Sequence, residues 1–238
     1  MASQQNRMSP RQKMINLMYV VLMAMLALNV SSDVLNGFSL VEDSLLRTTA
    51  NASASNEALY KDLQGQMEAN PAKVKEWFDK AQYVKKISDS LYNYAEALKV
   101  SIVKQADGED GDVKDVQNKE DLEAASHVML APRRGEGQRL FAAINSFRES
   151  IVGMLTDETQ KKIIADNLST EVPNKAGTLG KNWQEYMFEN TPVAAAVTLL
   201  SKLQSDVRYA EGEVLHALVA NIAVSYTHLR AHETSAHL

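Results

Sequence analysis

The sequence predicts an all-α protein, a single N-terminal transmembrane helix followed by an antiparallel helical bundle. Three observations carry that prediction. A charge-free apolar run covers Met14–Val30. Long stretches after it repeat apolar residues in steps of three and four, the period of a half-buried helix. Glycine (10) and proline (5) are scarce for 238 residues, while alanine, leucine, glutamate and lysine are common, which favours helix over sheet.

No charge occurs from Met14 to Ser32. A helix over Met14–Val30 spans roughly 26–28 Å, close to a bilayer core of about 30 Å. Arg7, Arg11 and Lys13 precede the run, and Asp33, Glu42 and Asp43 follow it. The positive-inside rule then keeps residues 1–13 in the cytoplasm, makes 14–32 the span and exports the rest. A cleaved signal would have a shorter core and a small-x-small exit. The exit here, Leu28-Asn29-Val30-Ser31-Ser32-Asp33, lacks that signal and runs on without a breaker. A continuous rod from membrane helix to bundle is expected.

Polar groups punctuate the run. Asn16 and Tyr19 lie near its cytoplasmic end, and Arg11 lies one turn below it on the face of Ile15, Met18 and Leu22. Two readings of Arg11 stand: it snorkels to the interface, or it pairs with an acid on another membrane helix.

The exported part, 33–222, reads as about four long helices with short connectors. The first runs from Asp33 to about Met67 with Val34, Phe38, Val41, Leu45, Ala52, Leu59 and Leu63 on one face, and stops before Asn70-Pro71. The second covers Ala72–Gln105, with Val74, Phe78, Ala81, Val84, Ile87, Leu91, Tyr94, Leu98 and Ile102 at its apolar positions. Ala106–Asn118 is an acidic, solvated loop without the ligand spacing of a calcium loop. A short helix over Lys119–Met129 and a turn at Ala131–Gly137 follow. Gln138–Leu155 turns Leu140, Ile144, Phe147 and Ile151 inward. Thr156 caps a short helix to Asn167. Trp183, Tyr186 and Phe188 form a packing wedge. Pro192 starts the last long helix, striped by Val193, Val197, Leu200, Val207, Val214, Leu218 and Ile222.

The stripe stops at Ile222. Three of the five histidines lie beyond it, at 228, 232 and 237. A histidine-rich metal tail is one reading. The other, foreign sequence from an adapter or a frame error, makes 223–238 a non-native tail outside the fold.

Net charge is -5 and the pI about 5.6, without the basic face of a nucleic-acid binder. The chain has no cysteine, hence no disulfide framework or thiolate metal site. Glu213-x-x-His216 matches one half of a di-iron bundle motif, but His127 has no glutamate three residues earlier to supply the other half. Phosphate-binding glycine loops, nucleophile elbows and zincin motifs are absent, and Arg133-Arg134 reads as a solvated turn. No catalytic residue, cofactor or metal site is assigned, and the chain is not expected to be an enzyme. A ligand-sensing helical bundle anchored by its signal helix stays open as an alternative.

The run Ser9-Pro10-Arg11-Gln12-Lys13-Met14-Ile15-Asn16-Leu17-Met18-Tyr19, with Ala24-Met25-Leu26-Ala27-Leu28-Asn29-Val30-Ser31, closely resembles the start of the GldM/PorM family, the inner-membrane motor proteins of gliding motility and type IX secretion. Asn182-Trp183-Gln184, Pro192-Val193-Ala194-Ala195 and Ser205-Asp206-Val207-Arg208-Tyr209-Ala210-Glu211 resemble that family's first periplasmic domain. The resemblance covers about Met8 to Ile222.

It implies a homodimer whose two membrane helices sit within a ring of GldL-type subunits carrying an intramembrane glutamate. Proton flow would drive one part to turn against the other, and the periplasmic rod would pass that motion to outer-membrane GldK/GldN-type components. Arg11 takes the place of the family's membrane-proximal arginine, expected to approach the partner's glutamate, and Asn16 and Tyr19 match the polar positions beside it. Family members continue into β-rich periplasmic domains, so this chain is expected to be an N-terminal fragment.

Overall fold

A run of 38 helical residues, a proline break and 37 more make a helical hairpin about 57 Å long, at 1.5 Å per residue. The structure, a computed structural model, describes residues 9–28, 32–132, 135–175 and 177–235. Among them are eight helices and no strand: α1 Pro10–Leu28, α2 Ser32–Ala69, α3 Pro71–Asp107, α4 Ala124–Leu130, α5 Gly137–Met154, α6 Glu158–Asn167, α7 Trp183–Phe188 and α8 Val193–Ser235. The expected junction at Asn29–Ser31 and the Arg133-Arg134 turn lie outside the described residues.

Local chemistry explains the boundaries. Asn70 leaves helical geometry because Pro71 follows it, and Pro71 opens α3 where its missing N–H is harmless. Gly108 ends α3 with a φ of 92°, a conformation glycine adopts without strain. The acidic loop then closes on the helix: Gln117 N and Asn118 N both donate to the Asp107 carboxylate at 2.8 Å. Asn182 and Glu185 form a reciprocal capping box on α7. The first amides of α8, Val193 and Ala194, donate to the carbonyls of Asp121 and Lys119. The α6 cap is Asp157 rather than Thr156: its Oδ1 accepts from Thr159 N at 2.7 Å and Gln160 N at 3.0 Å.

Helices α2, α3 and α8 form the long core, and α4–α7 brace one side of it. The bundle departs from simple antiparallel order. Contacts pair Phe38 with Thr198, Glu42 with Ser201, Asn56 with Arg208 and Tyr60 with Glu211, so α2 and α8 run parallel. Only α3 opposes them, with Lys99 at Ser201 and Asp89 at Arg208. The four short helices return the chain to the starting end before α8 begins.

The predicted stripes of α5 and α8 are buried, and so is that of α3 except for Phe78, Ile87 and Tyr94, which are half-buried against the core. Each fully covered leucine or isoleucine contributes about 1.5–3 kcal/mol. On α2 the stripe shifts. Leu35, Thr49, Asn56, Tyr60 and Leu63 are buried, while Val34 and Val41 are half exposed. Two of the five buried positions, Thr49 and Asn56, are polar side chains, so a search for apolar period alone picks the neighbouring face. In the wedge, Trp183 is buried against Phe141 and Phe188, each ring 6.0 Å away, but Tyr186 stays exposed. Helix α8 continues past Ile222 to Ser235, through most of the tail predicted to lie outside the fold.

Candidate functional site

Two regions hold unusual chemistry. One is the amino-terminal helix. Helix α1 begins at Pro10, so Arg11 and Lys13 belong to its first turn and are followed by the apolar run. Its described side chains, from Pro10 to Met23, are all exposed, including Met14, Leu17, Met18, Val20 and Leu22. Arg11 is exposed, and among the described residues no ion pair holds its guanidinium. Gln12 Nε2 donates to Asn16 Oδ1 at 3.3 Å, and Tyr19 follows on the same face. Arg11, by contrast, lies on the adjoining face with Ile15, Met18 and Leu22. The three residues singled out from sequence therefore share one helix but two faces.

Among the described residues no helix is long and apolar enough to cross a membrane. The polar first turn of α1 takes up part of its length, and the exit of the predicted span, Asn29–Ser31, lies outside the described residues. An exposed apolar surface of this kind is out of place in water and calls for lipid or partner helices around it.

The second region is the interior of the long core, where two polar layers interrupt the apolar packing. In the first, Ser201 Oγ donates to Glu42 Oε1 at 2.5 Å and accepts from Lys99 Nζ at 3.0 Å. Lys99 is almost fully buried and pairs with Glu96 at 2.8 Å. Gln204 Nε2 ties Glu96 to the Tyr92 carbonyl. Burial pushes the Glu42 carboxyl above the usual range, against the pull of Ser201 and Lys99. Burial also acts to raise Glu96, but its hydrogen bonds from Lys99 and Gln204 win and hold it below that range. A cleft of about 650 Å³ lies over this layer, walled by Glu42, Tyr92, Lys99, Lys114 and Lys119.

The second layer is built on Glu211, about 1% exposed. It accepts from the Tyr60 hydroxyl at 3.0 Å and from Arg208 Nη1 at 2.8 Å. Arg208 also pairs with Asp89 at 2.8 Å, and its guanidinium lies 4.5 Å from the Tyr92 ring centroid. Burial disfavours the Arg208 charge, but the two carboxylates more than compensate and raise its pKa. Burial, reinforced by Glu211, raises the Tyr60 hydroxyl well beyond its ordinary value. Asn56 Nδ2 donates to the Arg208 carbonyl at 2.9 Å beside Gly212.

Neither layer was singled out from sequence as a site. The signal was there: Lys99 interrupts the stripe Leu91–Leu98–Ile102, and Glu211 interrupts Val207–Ala210–Val214. Glu213 of the half motif accepts from Gln160 at 2.9 Å, and His216 is exposed. Among the described residues no group of three or more histidines and acids could hold a metal ion.

The three core helices of the long scaffold are tied together by Tyr60 with Glu211, Asn56 with Arg208 and Asp89 with Arg208, and an apolar helix precedes them in the chain. The model of the GldM N-terminal domain family matches residues 33–221. The chain belongs to the GldM family. Membership implies a role in gliding motility and type IX secretion, as a structural component at the inner membrane and periplasm. No curated protein matches the chain.

Proposed function

We propose that this chain is the force-transmitting subunit of a motor driven by the proton-motive force, powering type IX secretion and gliding. In this reading 14–32 span the inner membrane with residues 1–13 in the cytoplasm, and 33–222 form the periplasmic lever. Two copies pair, and their membrane helices engage a ring of GldL-type subunits through Arg11, Asn16 and Tyr19.

The observation that carries the reading is α1: a helix with exposed apolar side chains and an arginine in its first turn, joined in sequence to a bundle of the GldM family. The second polar layer supports the lever role: Tyr60 with Glu211, Asn56 with the Arg208 carbonyl and Asp89 with Arg208 tie α2 and α3 to α8 across the core.

The test is co-expression with a two-helix membrane protein bearing an intramembrane glutamate, followed by purification in mild detergent. A stable complex with two copies of this chain is expected. Recovery of the chain alone as a monomer would overturn the proposal.

A further inference from the structure

The long core leaves one face of α2 uncovered, and that face is without charge for six turns. Val34, Val41, Thr48 and Ser55 recur every seven residues and are all exposed. Between them, at alternating steps of three and four, fall Gly37, Ser44, Asn51 and Ala58. This is the spacing of a two-helix seam. The charges of α2 lie elsewhere: Asp43, Glu57 and Lys61 point to the other sides, and Arg47 sits at the flank. Asp33 and Asp62 bracket the row at its two ends.

The face is also the most apolar exposed surface of α2. Leu40 is 72% exposed, and Val34 and Val41 are each 50% exposed. No atom within 4 Å would meet a Cβ at Gly37, so the space in front of the helix is open to a close neighbour.

We infer that this face is the seam along which two copies of the chain pack α2 against α2, parallel and in register; the inference rests on the dimeric motor reading above. Three observations favour a second copy over a different protein. A parallel two-fold pairing sets every residue opposite itself, which repels wherever a charge stands in the row; here none does between Val34 and Ala58. Flanking charges choose a foreign partner in helix pairs, and the flanks here are nearly free of them. The flanking positions instead set the exposed Leu40 against the part-buried Leu45 of the other copy, five residues on, so the most exposed leucine gains apolar cover. Chain continuity adds to this. Two copies gathered at α1 hold the starts of their α2 helices near each other and raise their effective concentration.

The chain has no cysteine, which makes the test direct. Single variants Val41→Cys and Thr48→Cys are oxidised in native membranes containing the full chain, beside Glu57→Cys and Lys61→Cys as controls. A disulfide between identical positions needs Cα atoms about 4.4–6.8 Å apart, which only residues near the two-fold axis satisfy. The seam positions are expected to cross-link about tenfold more than the controls. Light scattering on the detergent-solubilised, unmodified chain reports the mass independently. A dimeric mass with cross-links no stronger at 41 and 48 than at 57 and 61 overturns the seam and leaves the motor reading standing. A monomeric mass overturns the dimeric reading itself. Because both seam positions are exposed, Thr48→Glu keeps the fold, verified by circular dichroism, and is expected to shift the dimer toward monomer; an unchanged dimer counts against the seam.

Discussion

The Tyr60 hydroxyl of α2 donates to Glu211 of α8, a carboxylate 151 positions away and almost wholly buried. A buried carboxylate is tolerable only while its partners stay. Tyr60→Phe is expected to lower unfolding stability by about 1–3 kcal/mol, since it leaves an acceptor unsatisfied without opening a cavity. Arg208→Ala is expected to cost more, about 3–5 kcal/mol, because it strands the charge. Urea denaturation followed by circular dichroism measures both. Equal small losses would mean that water reaches Glu211.

Gly212 is a packing requirement. A Cβ there would sit 2.8 Å from Asn56 Oδ1. Gly212→Ala must push Asn56 off the Arg208 carbonyl, a loss of about 1–3 kcal/mol that outweighs the helix propensity gained. Combined with Asn56→Ala, the same change should cost much less, a coupling that a double-mutant cycle reads directly. Simple additivity would show that the two residues do not meet.

Glu42 gives a pH dependence whose sign follows from its raised pKa. The folded state favours the neutral carboxyl more than the unfolded chain does. The contribution of Glu42 to stability is therefore present at low pH and declines as pH rises from the ordinary carboxylate value through the raised one. Above that window the charged form carries a burial penalty. Glu42→Gln keeps an acceptor for Ser201 and removes that penalty, so its stability relative to wild type should rise between pH 4 and pH 8, an interval of about four units. Urea midpoints across this range provide the measurement. A constant difference would mean that Glu42 is not buried as a charge.

The cap on α6 separates two adjacent residues. Asp157→Ala should cost about 1 kcal/mol, while Thr156→Ala should stay within about 0.5 kcal/mol. Thermal melts of the two variants decide between them, and the reverse order would return the cap to Thr156.

The helices were legible in the sequence wherever apolar residues keep a single period, as in α3 and α5, or where a breaker stands, as at Asn70-Pro71. The α2 register was not, because Thr49 and Asn56 take core positions that an apolar pattern passes over. Direction was hidden as well: the turns around α4–α7 do not announce how many times the chain reverses, and so the parallel pairing of α2 with α8 appears only in contacts such as Asn56 with Arg208. Arg11, Asn16 and Tyr19 stood out because polar groups bordering an apolar run need a reason. Lys99 and Glu211 were passed over although the same logic applies within α3 and α8.

Arg11 bears most directly on whether α1 is a working helix or only an anchor. The measurement is secretion and gliding in cells carrying Arg11→Ala, alongside membrane insertion and dimer mass of the same variant. A motor helix predicts that secretion and gliding fall at least about a hundredfold, as removal of an intramembrane charge partner worth about 3 kcal/mol would give, while insertion and dimer mass stay normal. Normal secretion and gliding in that variant would contradict it.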